Sequence, residues 1–167
     1  MNRAQRLDIT AIAETFLRKA KRFLWQDGHL TPVAFIVHST GVETIVLSFK
    51  DTEEKHQAYV FVSALSRKLR ADAVILINES WMVLSSGESR DEVIARTEQL
   101  PPSEDPRRQE VISMAVVGPA FKPTITLLPF RRKGRKIRFE EKVTQSEDVE
   151  VEVFMIPKWW TDAPKIS

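Results

Sequence analysis

The sequence predicts an α+β domain, with two main helices packed on a mixed, mostly antiparallel sheet of about six or seven strands. Three observations lead there. The run Ala73–Leu84 is the longest strongly apolar stretch and reads as an interior strand. Two segments, near 3–26 and 51–70, repeat apolar residues at the three-and-four spacing of amphipathic helices. Beyond residue 110 the chain alternates strand-like and turn-like stretches to its end.

In chain order, the first helix carries Ile9, Ile12, Ala13, Phe16, Leu17, Ala20, Phe23 and Leu24 in one stripe. Asn2 with Gln5 suits its start, and Gly28 its end. Leu30–Ser39 and Val42–Phe49 read as a hairpin about Thr40-Gly41, the first strand apolar on both faces. Asp51 and Glu54 have the spacing of a capping box for the second helix, whose stripe is Ala58, Phe61, Val62, Leu65 and Leu69. Strand, helix and the Ala73 strand then make a β-α-β unit, which implies parallel strands. Ser89 and Glu92 suit the start of a short helix near 90–99, before the proline-punctuated loop 101–110.

The last third supplies the strands Val111–Gly118, Thr124–Arg132, Arg135–Val143 and Val149–Ile156. With Lys133-Gly134 as a two-residue turn, Phe130 faces Ile137, Leu128 faces Phe139 and Arg131 faces Lys136. Pro129 gives no ladder hydrogen, so one flank of its strand is expected to be an edge or a bulge. Residues 157–167 read as an irregular tail on a single domain spanning 1–167.

Composition narrows the function. At 43% apolar and 29% charged residues, the chain is globular in type rather than disordered. It holds no cysteine, which removes disulfides, thiolate nucleophiles and thiolate metal sites. No apolar run nears membrane-spanning length and no signal-like segment opens the chain, so a cytoplasmic setting without membrane contact is expected. With a net charge of only +2, attraction to polyanions must come from local patches. His29, His38 and His56 lack ligand spacing, and no glycine-rich phosphate loop or nucleophile elbow occurs; no metal and no cofactor are expected.

Three constellations stand out. Glu79 shares a strand face with Ile77 and Trp81. It reads either as a tuned acid in a cleft or as one half of an ion pair with an arginine such as Arg107 or Arg108. With Glu110, Glu104 and Asp105 it is the centre of the leading enzymatic reading, a metal-dependent hydrolase or nuclease. The basic turn Arg131, Arg132, Lys133, Arg135, Lys136 and Arg138 sets like charges across a hairpin, which calls for an anion or for the acids Glu150 and Glu152. Trp159 and Trp160 either anchor a partner or fold back over an apolar sheet edge. Nothing assembles an acid, a base and a nucleophile. The leading expectation is therefore a binding or accessory protein without catalysis, working through protein contacts with a partner or with itself as a homodimer. Nucleic acid bound at the hairpin 131–138 is the alternative.

Overall fold

The computed structural model describes residues 3–83, 90–100, 104, 106–145 and 156–160. Among these residues three helices, α1 (Arg3–Asp27), α2 (Thr52–Lys68) and α3 (Arg90–Gln99), accompany seven strands. These are β1 (Val33–His38), β2 (Gly41–Val46), β3 (Ala73–Met82), β4 (Gln109–Val117), β5 (Thr124–Lys133), β6 (Lys136–Phe139) and β7 (Val143–Gln145). They form one sheet in the order β2-β1-β3-β4-β5-β6, with β7 also on β5. The class is α+β, as the periodicities imply.

β3 is the interior strand that its composition demands. It is flanked by β1 and β4, and Ala73, Val74 and Ile75 are fully buried. Side chains alternate along it, so its two faces meet different helices. Ala73, Ile75 and Ile77 pack with Ile9, Leu17 and Leu24 of α1. Val74 and Leu76 pack with Tyr59 and Val62 of α2. The sheet is thus covered by one main helix on each face.

The expected parallel pair needs correction. β2 and β3 do run in the same direction, but β1 stands between them, antiparallel to both. Every described pairing is antiparallel, so the mixed sheet of expectation contains no parallel ladder. The crossover rule fixes strand direction, not adjacency. β1, apolar on both faces, is the better neighbour for β3, and the more exposed β2 is left at the margin.

Both main helices end on local chemistry. Gly28 takes φ +77° and its N–H bonds the Leu24 carbonyl at 2.9 Å, a left-handed cap that closes α1. Asp51 caps α2 by accepting from the Glu54 N–H at 2.8 Å. The Glu54 carboxylate reaches back one residue beyond the cap, to the Lys50 N–H at 2.7 Å. α2 ends in a Schellman motif, with Ala71 N–H on the Ser66 carbonyl and Arg70 N–H on that of Arg67.

The stripes are less regular than their spacing. Phe23 is 53% and Phe61 57% exposed. α1 lies over β3, β4 and β6, so Phe23 overhangs the uncovered β1 side. α2 is turned so that Tyr59, Val62, Ser63 and Ser66 face inward. The two serines satisfy their hydroxyls on the carbonyls of Pro157 and Val62.

The β5–β6 hairpin turns one residue later than expected, at Gly134-Arg135. Only Gly134 has positive φ, +61°, as a type II′ turn requires. The observed partners are Phe130↔Phe139, Arg132↔Ile137 and Lys133↔Lys136. That slip of two residues keeps each side chain on its expected face. Opposite Pro129 the partner strand breaks into β6 and β7. The pairs Phe130↔Phe139 and Leu127↔Val143 leave one more residue on the outer strand than on β5, a bulge where the proline lacks its donor. The strand expected over Val149–Ile156 lies outside the described residues apart from Ile156, which is buried on the α2 side. Asn2, Ser89, Asp105, Glu150 and Glu152 also lie outside them.

Candidate functional site

Three strands bring the conspicuous charges together at one end of the sheet. Glu79 on β3, Glu110 on β4 and Arg132 on β5 lie on the α1 face, each one row further along its strand than the last. Arg132 Nε donates to both oxygens of Glu110, at 3.1 and 3.0 Å. Its Nη1 donates to the Gly28 carbonyl at 2.6 Å, and its Nη2 stands 3.6 Å from Glu79 Oε2. The other Glu79 oxygen accepts the Leu30 N–H. All three side chains are partly shielded, at 36% exposure for Arg132, 26% for Glu79 and 21% for Glu110.

Arg132 therefore fastens the end of α1 and its following loop to two carboxylates on the sheet. The arginine that reaches Glu79 comes from the basic hairpin, whereas Arg108 lies over the Trp81 ring, 4.8 Å from its centroid. Both carboxylates are thus engaged by the Arg132 cation, and that of Glu79 by a backbone donor as well. Among the described residues no three histidine, aspartate or glutamate side chains gather as a metal would need. Glu104 is exposed on the loop.

The remaining cations of the hairpin face outward. Arg131 stands opposite Arg138, and Lys133 opposite Lys136. Arg131 finds Glu140, Nε to Oε1 at 2.7 Å. Lys133, Arg135, Lys136 and Arg138 are exposed and have no acid within salt-bridge distance among the described residues. Two like-charged cross-strand pairs side by side cost stability unless an anion lies close.

An aromatic residue stands at the base of the hairpin, on the α1 face and so on the opposite side of the sheet from Lys133, Lys136 and Arg138. Trp81, 40% exposed, lines an open hollow of about 470 Å³ together with Arg108, Arg131 and Arg132. No aromatic residue with a free face interrupts the basic turn in sequence, and Trp81 arrives only through the β3–β4–β5 register. Its one sequence signal is a tryptophan placed after Glu79 at the end of an otherwise buried strand.

Trp159 and Trp160 lie on the α2 side. Trp159 is buried and donates from Nε1 to the Ala71 carbonyl at 3.2 Å, just past the α2 cap. Trp160 packs edge-on against it, ring centroids 4.6 Å apart, and keeps part of its surface exposed. His38 meets Glu43 at 3.3 Å on the β1–β2 hairpin. Among the described residues no helix is long and apolar enough to cross a membrane.

No curated protein and no solved structure matches the chain. A family model described as bacteriophage lambda protein ea47 matches residues 1–165, nearly the whole sequence. On that match the chain belongs to the bacteriophage lambda protein ea47 family.

Proposed function

We propose that this chain is a binding protein without catalysis of its own, and that the cationic end of its sheet holds nucleic acid through phosphate contacts. One observation carries the reading: Lys133, Arg135, Lys136 and Arg138 project from a single hairpin with no described acid to neutralise them. Phosphates at roughly regular spacing suit such a ladder, and association would release their counterions. Glu79 and Glu110, the acids on which an enzymatic reading would centre, are both held by Arg132. Protein contacts are a second reading, favoured by a different feature, the margin of β2 that no described strand meets.

The test is fluorescence anisotropy with labelled single- and double-stranded oligonucleotides at 50 and 200 mM salt. Four phosphate contacts predict a loss of affinity of roughly 50- to 150-fold over that range. No binding at low salt, or binding indifferent to salt, ends the nucleic-acid reading. Equal binding of poly-glutamate would reassign the site to acidic protein.

A further inference from the structure

The β2 margin carries an inference of its own, on residues that take no part in the cationic site. Leu47 N–H bonds the Pro32 carbonyl at 2.9 Å, which fixes the phase of the β1–β2 ladder. Antiparallel pairs alternate between hydrogen-bonded and non-bonded, so Gly41, Glu43 and Ile45 bond inward to β1. Val42, Thr44 and Val46 then aim their N–H and C=O groups outward. No described strand meets them, and Val42 and Val46 are 37% and 68% exposed. The strand has no lysine, no proline and no bulge, the devices that keep a margin from pairing.

We propose that β2 is the seam of a homodimer, pairing antiparallel with β2 of a second copy about a two-fold axis through Thr44. The occupant follows from the strand's own pattern. Only even-numbered residues present outward backbone groups, so only even-to-even registers can bond. Setting Thr44 against Val42 of the other copy would oppose Glu43 to Glu43, a like-charge pair. Setting Thr44 against Val46 leaves Val42 without a partner inside β2. With Thr44 against Thr44, Val42 faces Val46 twice, every outward group is paired, and each Glu43 faces Ile45. The strand is complementary to itself in one register.

The axis stands perpendicular to the sheet, so both copies of α1 lie on the same side of a continuous double sheet. On that side the space of about 420 Å³ between Phe16, Phe23, Val33 and Phe35 opens beside Thr44. The two copies of this apolar space meet at the seam, and Phe23 would be shielded there.

Because the chain has no cysteine, single substitutions report the register directly. In the proposed pairing the two Thr44 Cα atoms lie at about 5.5 Å, within disulfide reach. Two Val46 residues lie four positions apart, roughly 13 Å along the strands, and out of reach. Light scattering of the full chain at about 100 μM should give the dimer mass. Mild oxidation should cross-link Thr44→Cys and not Val46→Cys. The Val42→Lys, Val46→Lys double variant should run as a monomer with the circular dichroism of the parent and a melting temperature that no longer depends on protein concentration. A monomeric parent, cross-linking of Val46→Cys as readily as Thr44→Cys, or a folded lysine variant that stays dimeric each overturns the proposal.

Discussion

The two margins of the sheet are built on opposite plans. β6 and β7 are short, broken by a bulge opposite Pro129, and carry Lys136 and Arg138. β2 is an unbroken strand whose outward backbone groups stand beside valines. Exposed strand backbone is the same chemistry at both places, and the side chains around it decide what it attracts. Charge and a bulge repel another strand and invite anions. Bare valines and a regular ladder invite a strand. A single sheet can thereby offer two surfaces that do not compete.

The contrast can be broken from either side. The largest expected effect is on anion binding: replacing Lys133, Arg135, Lys136 and Arg138 by glutamate should weaken oligonucleotide binding at least about a hundredfold. Light scattering should show no change in mass. If the mass falls as well, the margins are coupled. Next comes the anchor beneath the hairpin. Arg132→Leu leaves Glu79 and Glu110 without their shared cation and should cost about 2 kcal/mol in urea unfolding. Adding Glu79→Gln and Glu110→Gln to it should recover part of that loss, since the unpaired charges are then gone.

Gly134→Ala forces a side chain onto a φ of +61° and should cost about 1 kcal/mol by the same measurement. It should loosen the cationic margin while the β2 margin is untouched. The smallest effect belongs to a position at neither margin. Arg70 occupies the left-handed residue of the α2 cap at φ +50°, where glycine is favoured. Arg70→Gly should raise stability by about 0.5 kcal/mol and leave both binding and mass unchanged.

What could be read from the sequence was local. The central β3, the closing Gly28, the Asp51 cap and the interruption beside Pro129 each follow from a few neighbouring residues and one rule of backbone chemistry. What escaped was set by register across strands. The pairing of Glu79 with Arg132 spans β3, β4 and β5, and no spacing in the chain announces it. Trp81 reaches the basic hairpin by the same route. The hairpin turn lies one residue beyond Lys133-Gly134 because glycine serves either central position of a two-residue turn, and here it takes the first. Ser63 and Ser66 belong to the buried face of α2 although they add nothing to its apolar spacing, since their hydroxyls bond to carbonyls.

The position of β3 also sets the order in which the chain can fold. β1 with β2, and β5 with β6, are hairpins closed by two-residue turns, contacts that form within microseconds. β3 joins its neighbours only across α2 on one side and across residues 83–108 on the other, so each closure carries a larger loop entropy. The hairpins can be ready early, and the rate of folding is then expected to follow how soon the most apolar strand finds its slot between β1 and β4.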